Sequence, residues 1–330
     1  ARRAGEFAAR KAGGFIREGH GDLHLGNLVL IDGRVTPFDC IEFNEDFRWN
    51  DPASEIAFVW IDLLDHDRPG LAAGFLNAWL EVGGDFDALA VLRFYAVYRA
   101  VVRAKVAALR ARQEDDAAAR AELEAARGYL QLAWRIAAPP APTLTITCGL
   151  SGSGKTTAST ARLSDPGLDP AGSLLRLRSD VERKRLFGLA AQASSQSTVD
   201  GGIYTGEATS RTYARLREVA GKLLAAGWPV IVDAAFLRRD ERAAFRAVAA
   251  GLGVEFGILA CEAPVDELRR RLLERRGDAS EATLEVLERQ LDWFEPLTAD
   301  ERIRIVGPHE SGPMAEMVPS SRLESERRSG

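Results

Sequence analysis

The fold of the second half of this chain is decided by the stretch Gly149-Leu150-Ser151-Gly152-Ser153-Gly154-Lys155-Thr156-Thr157. The apolar run 144–148 precedes it and an alanine-rich segment follows, so the expected order is strand, glycine loop, helix. The spacing is G-x-x-x-x-G-K-[ST], which predicts a phosphate-binding loop. Glycines let several backbone N–H groups point at one centre, and the helix N-terminus adds the positive end of its dipole.

This chemistry predicts ATP and Mg²⁺ as cofactors. Lys155 is placed to reach the outer phosphates as a catalytic cation, and the hydroxyl of Thr156 can ligate Mg²⁺. The nucleotide-binding residues that we expect are Gly149, Ser151, Gly152, Ser153, Gly154, Lys155, Thr156 and Thr157.

The composition limits the classes of partner. The chain has 330 residues, enough for about two domains, and its 43 basic and 48 acidic residues give a net charge of −5. A mildly acidic balance argues against nonspecific binding to nucleic acid. Three widely spaced cysteines predict free thiols in a reducing cytoplasm, and no apolar run approaches the length of a membrane span. We therefore expect a cytoplasmic protein with a small-molecule partner and no membrane or nucleic-acid partner. The composition leaves the oligomeric state open.

A second group of polar residues brackets a predicted hairpin in the first half. Residues 28–31 and 35–38 read as short strands, and Asp32-Gly33 is a hairpin signal. A tight hairpin returns its two ends to one place, so Asn27 and Asp39 should lie close together. With Asp22 as a nearby general base, they predict a second Mg²⁺ site.

The order H-G-D-x-x-x-x-N, hairpin, D resembles the catalytic and metal-binding loops of aminoglycoside phosphotransferases, the small-molecule relatives of the protein kinases. The resemblance implies that Asp22 is the catalytic base and that Asn27 and Asp39 are metal ligands. However, only 19 residues precede the motif, where the N-lobe of a kinase would lie with its glycine-rich loop and its lysine. We therefore expect this half to be truncated or structural, and weakly active at most.

The spacing of apolar residues and local composition together divide the chain into four parts. Residues 52–137 carry helical periodicity, which suits the lower part of a kinase C-lobe. The predicted parts are a mostly helical, kinase-like C-lobe fragment with a short hairpin (1–138), a proline-rich linker (139–142), an α/β P-loop kinase domain with a parallel sheet (143–308) and a disordered tail (309–330).

Two carboxylates follow predicted strands of the second half. Asp180 follows the strand 174–178, and Asp233 ends the strand 229–233. The carboxyl ends of parallel strands collect ligands, so both should share one site with the phosphate loop. Asp233 would hold Mg²⁺, while Asp180 would deprotonate a substrate hydroxyl or, alternatively, cap the helix that follows it. We also predict a lid helix from a basic cluster, Arg269, Arg270, Arg271, Arg275 and Arg276. One or two of these arginines, Arg275 first, would reach the transferring phosphoryl group. The alternative for each of them is a position on a solvated helix face.

The second half resembles the small P-loop kinases, which include gluconate kinase, chloramphenicol phosphotransferase and zeta-toxin-like enzymes. The resemblance rests on the phosphate loop, Arg178-Ser179-Asp180, Val232-Asp233-Ala234 and Arg275. The two halves in this order resemble bifunctional bacterial proteins. The resemblance implies an ATP-dependent phosphotransferase that acts on a hydroxyl of a small molecule. The alternatives are an ATP-hydrolysing nucleotide switch, or aminoglycoside-type activity in a longer parent protein.

Overall fold

The computed structural model describes residues 3–164, 173–193, 195, 202–274 and 283–302. Arg275, Arg276 and the predicted tail 309–330 lie outside the described residues. Among the described helices, none combines the length and the apolar character that a membrane span requires.

The first half is mostly helical, as its periodicity predicts. Side-chain oxygens of Asp51 and Asp115 accept hydrogen bonds from backbone N–H groups of the helices that follow them, which fixes where those helices begin. The helices are α1 Ala4–Ala12, α2 Pro52–Asp65, α3 Pro69–Gly83, α4 Leu89–Arg110 and α5 Asp116–Ala137. The short strands β1 Arg17–Glu18 and β4 Trp49–Asn50 pair with each other, antiparallel.

The predicted hairpin is present, with its second strand one residue earlier than expected. Strand β2 is Leu28–Ile31 and strand β3 is Arg34–Pro37. Asp32 and Gly33 form a two-residue turn with φ values of 49° and 75°, which sets the pairing of Ile31 with Arg34. Phe38 N donates to Asn27 O at 3.0 Å, so the two ends of the hairpin meet.

The second half contains a four-stranded sheet in the order β6-β7-β5-β8, and all of its strand pairs are parallel. Its strands are β5 Thr143–Cys148, β6 Leu175–Arg178, β7 Val230–Asp233 and β8 Glu255–Ala260. The helices are α6 Lys155–Leu163, α7 Ser179–Leu186, α8 Gly206–Ala225, α9 Arg239–Leu252, α10 Val265–Glu274, α11 Leu284–Trp293 and α12 Ala299–Arg302. Because the strands are parallel, the phosphate loop and Asp233 leave the sheet at one edge.

One hydrophobic core runs through both halves of the chain. Trp60 of α2 and Trp228 lie with their ring centroids 5.6 Å apart, and both are fully buried. Trp60 Nε1 donates to Ser173 Oγ at 3.0 Å, and Trp228 Nε1 donates to Leu89 O at 2.9 Å. Each indole therefore crosses from its own half into the other with a satisfied hydrogen bond.

Helix α3 of the first half covers β6, which is an edge strand of the sheet. The buried amide of Asn77 donates to Leu174 O at 2.9 Å, and its Oδ1 accepts from Arg176 N at 2.7 Å. One side chain thus replaces the backbone partners that a neighbouring strand would offer. The edge strand that carries Arg178 is consequently held by the first half.

Candidate active site

A cleft of about 1850 Å³ opens at the carboxyl edge of the parallel sheet. The phosphate loop forms one wall, and residues from helices α7, α8, α9, α10 and α11 contribute to the others. Lys155, Thr156, Asp180 and Asp233 all line this cleft, although 78 residues separate the first from the last. The structure therefore brings these four predicted residues to one cleft.

The phosphate loop connects β5 to α6 and requires glycine for steric reasons. A Cβ atom on Gly149 would overlap the carbonyl oxygen of Cys261, and one on Gly152, whose φ is +83°, would lie 2.9 Å from Leu268 O. Lys155 Nζ donates to Gly149 O at 2.9 Å and to Leu150 O at 2.7 Å, so the lysine lies along its own loop. This closed curl with a helix N-terminus behind it fits a phosphate.

Asp233 is the buried carboxylate of the site. Its Oδ2 accepts a hydrogen bond from Ser159 Oγ at 3.0 Å, and the same oxygen lies 4.0 Å from Arg178 Nε. Burial raises the pKa of Asp233, and the positive charges of Lys155 and Arg178 oppose that shift. Ser159 Oγ also lies 3.1 Å from Thr156 O, which links the first turn of α6 to Asp233.

The donor set of this corner suits Mg²⁺. A threonine hydroxyl and a carboxylate are hard oxygen ligands, which Mg²⁺ prefers, and they stand beside a loop built for phosphate. Thr156 and Asp233, the ligands that the sequence predicts, could hold the metal in this corner.

Asp180 lies in the first turn of α7, and the N-cap position of that helix belongs to Arg178. The alternative that Asp180 caps the helix is therefore wrong. The helix begins two residues earlier than the pattern indicates, directly where β6 ends. This abrupt change from strand to helix turns Asp180 toward the cleft that it lines.

The described arginines of α10 differ in what they contact besides their ion pairs. Arg269 and Arg270 are exposed and form ion pairs with carboxylates of α10 and α11, as the solvated alternative predicts. Arg271 is also exposed and ion-paired, with Glu267, but in addition it lines the cleft, and its Nη1 donates to Gly152 O at 3.4 Å. Arg271 is therefore the member of the cluster that the described structure brings to the phosphate loop.

Arg178 and Gln290 are cleft residues that the sequence analysis does not predict as part of the site. Arg178 belongs to the motif Arg178-Ser179-Asp180, and the structure places it beside Asp233. Gln290 of α11 accepts a hydrogen bond from Ser151 N at 2.7 Å, and thus contacts the phosphate loop directly. The position of Arg178 at a strand end could have indicated its role, whereas nothing in the pattern around Gln290 indicates a contact with a loop 139 residues away.

The polar group of the first half lies away from this cleft. Asn27 Nδ2 donates to Asp22 O at 3.0 Å, and Phe38, the residue before Asp39, pairs with Asn27 through its backbone. His24 Nε2 lies 3.5 Å from Asp22 Oδ2, and this interaction lowers the pKa of Asp22. The structure thus places Asp22 beside Asn27 and returns the chain at Asp39 to the same end of the hairpin.

Comparison with known proteins supports a P-loop assignment. Residues 144–297 match the model of a family described as an AAA domain. Together with the loop sequence and the parallel sheet, this match defines a P-loop nucleotide-binding domain.

Uncharacterized proteins of Mycobacterium tuberculosis and Mycobacterium bovis are each 31% identical to this chain over 308 residues, which are 92% of this chain. The matched region spans 59% of the length of these curated relatives.

Solved structures with local similarity include two kinases. The APS kinase CysC of M. tuberculosis, in complex with AMPPNP and APS, is 27% identical, and the match covers 40% of this chain and 69% of that one with a TM-score of 0.32. A gluconokinase from Sinorhizobium meliloti is 22% identical, and the match covers 54% of this chain and 89% of that one with a TM-score of 0.35.

Proposed function

We propose that residues 143–308 transfer the γ-phosphoryl group of ATP to a hydroxyl of a small molecule. The observation that carries this proposal is the shared cleft, which brings Asp180 to the same space as the phosphate loop and Asp233. A nucleotide site alone needs no second carboxylate, whereas a kinase needs a group that accepts the proton of the attacking hydroxyl.

Each residue has a separate task in this proposal. The loop from Gly149 to Thr157 and the ammonium of Lys155 hold the phosphates, and Thr156 with Asp233 holds Mg²⁺. Bound MgATP supplies the phosphoryl group, and its metal neutralises developing charge. Asp180 orients the acceptor hydroxyl and takes its proton, and Arg271 adds positive charge beside the loop. Arg275 remains a further candidate for that last task.

The test is the release of ADP in the presence of a panel of acceptors: sugars, sugar acids, nucleosides and antibiotics. We expect Lys155→Ala to lower acceptor-dependent turnover by about 10²–10³-fold, because one preorganised cation is lost from the phosphates. Lys105→Ala, at an exposed lysine of α4, is the matched control and should behave as the wild type. Unchanged turnover in Lys155→Ala would refute the proposal.

A variant of Asp180 separates binding from chemistry. Asp180→Asn retains the shape of the side chain but cannot accept the proton, so we expect it to bind ATP normally and to lower kcat by about 10²–10⁴-fold. Normal kcat in Asp180→Asn would assign the proton transfer to another group.

A nucleotide switch is the second candidate, and the contact between α3 and β6 favours it. Because the first half holds the strand that carries Arg178, a change at the nucleotide would be transmitted to that half. This candidate predicts fast ATP hydrolysis that no metabolite accelerates. Acceptor-dependent release of ADP decides against it.

For the first half, we propose the C-lobe of an aminoglycoside phosphotransferase-like domain, with Asp22 as base and Asn27 and Asp39 as Mg²⁺ ligands. The hydrogen bond between Asn27 and Asp22 supports this proposal. We expect Asp22→Ala to leave the acceptor-dependent turnover of this chain unchanged, because Asp22 lies outside the cleft. A large loss of turnover would refute that separation.

A further inference from the structure

Helix α3 of the first half places a carboxylate against the edge strand of the P-loop domain. Glu81 Oε1 accepts a hydrogen bond from Arg176 Nη2 at 3.0 Å, and Glu81 Oε2 lies 3.9 Å from Arg178 Nη1. All three side chains are at least four-fifths buried, so solvent screens these contacts only weakly. Glu81 therefore interacts with both arginines of β6 across the boundary between the halves.

The two arginines connect Glu81 to the two candidate metal ligands, Thr156 and Asp233. Arg178 Nε lies 4.0 Å from Asp233 Oδ2, so its guanidinium is about equally far from the carboxylates of Glu81 and Asp233. Arg176 Nη1 donates to Thr160 Oγ1 at 2.6 Å, and Thr160 Oγ1 donates to Thr156 O at 2.7 Å. One branch thus ends on Asp233 and the other on the backbone of Thr156.

The backbone of Glu81 is fixed as well. Arg185 Nη2 of α7 donates to Glu81 O at 2.7 Å and to Leu80 O at 3.1 Å, at the C-terminal end of α3. A cation is favourable in this position, because it lies at the negative, C-terminal end of the helix dipole of α3. Because α7 also carries Asp180, the end of α3 is attached to the segment that supplies the proposed base.

The negative charge of Glu81 affects how closely Arg178 can approach Asp233. Arg178 lies 3.9 Å from the carboxylate of Glu81 and 4.0 Å from that of Asp233, so the attraction of Glu81 opposes a closer approach of Arg178 to Asp233. Without the negative charge of Glu81, Arg178 is drawn toward Asp233, where a guanidinium and a metal ion compete for the same carboxylate oxygens.

We propose that Glu81 is a positioning residue, through which the first half sets the affinity of the P-loop domain for Mg²⁺ with nucleotide. The effect on the metal passes through Arg178, which Glu81 holds at a distance from Asp233, whereas the hydrogen bond from Arg176 to Glu81 fixes strand β6 against α3. This inference rests on the proposed function, since it takes Thr156 and Asp233 as the ligands of Mg²⁺.

The experiment measures the binding of a fluorescent ATP analogue by the full chain as a function of Mg²⁺ concentration. We expect Glu81→Gln to raise the half-saturating Mg²⁺ concentration about tenfold, the range typical of partners that orient metal ligands. Binding of the analogue in EDTA should stay within about twofold of wild type, because the phosphate loop itself is unchanged. Glu124→Gln, at an exposed glutamate of α5 in the same half, is the matched control and should not differ from wild type.

A double variant separates positioning from general stability. Arg178→Gln removes the competing cation, so adding Glu81→Gln to Arg178→Gln should change the Mg²⁺ requirement by less than about twofold. A purely structural role of Glu81 would instead give a full effect in both backgrounds.

The outcomes also separate this inference from the proposed function. If the wild-type chain binds the analogue equally well with and without Mg²⁺, the proposed metal site is refuted, and this inference is refuted with it. If the wild-type chain requires Mg²⁺ for binding and Glu81→Gln has the same Mg²⁺ requirement, this inference alone is overturned. Should Glu81→Gln fail to fold, Glu81→Asp takes its place: its shorter side chain should raise the Mg²⁺ requirement, and an unchanged requirement overturns the inference.

Discussion

The hydrogen bonds of Asn77 allow a direct test of how the two halves depend on each other. We predict that Asn77→Leu, which keeps a similar side-chain volume, strongly destabilises the whole chain. The substitution removes the partners of Leu174 O and Arg176 N, which lie at 2.9 and 2.7 Å from the amide. Each backbone group left buried without a partner costs about 1–3 kcal/mol, so the expected loss in the free energy of unfolding is about 2–6 kcal/mol.

Urea denaturation, followed by tryptophan fluorescence and by circular dichroism, measures this loss. Trp60 and Trp228 lie in the core that both halves share, so both signals should shift to lower urea together. Gln131→Leu, at an exposed amide of α5, is the matched control and should change stability by less than about 0.5 kcal/mol. A loss below about 1 kcal/mol in Asn77→Leu, or separate transitions that move only one signal, would refute the reasoning.

Two further predictions concern the phosphate loop and the thiols. Gly149→Ala should abolish the binding of ATP analogues while the chain still folds, because the new Cβ atom overlaps the carbonyl oxygen of Cys261 and displaces the phosphate loop. Fluorescence titration measures this binding. Normal binding by the variant would contradict the close approach of Gly149 to Cys261. Burial raises the pKa of the thiols of Cys148 and Cys261 to about 11, whereas Cys40 is half-buried. Since the thiolate is the nucleophile, Cys40 should be the one cysteine that reacts with a thiol reagent at pH 8 in the folded chain. Mass spectrometry counts the labelled cysteines, and fast labelling of all three cysteines would contradict this prediction.

Much of the fold follows from local signals in the sequence. The phosphate loop lies in nine consecutive residues, and the turn at Asp32-Gly33 is fixed by the two residues that tolerate positive φ. Periodicity likewise predicts the helices of 52–137 and the alternation of strands and helices after residue 143. The positions of Asp180 and Asp233 at strand ends follow from the same alternation, because parallel strands share one carboxyl edge.

By itself, then, the sequence determined those features whose energy comes from neighbours along the chain: turns, caps, the curl of the phosphate loop and the apolar faces of helices and strands. The tertiary structure alone decided which distant groups meet. Asn77 contacts a strand about 100 residues away, Glu81 reaches Arg176 across 95 residues, and Gln290 contacts Ser151 across 139. Such contacts leave no periodic pattern in the sequence, because they depend on how α3 and α11 pack against the sheet. The same packing that closes the core between the halves places Glu81 beside the arginines of the candidate active site.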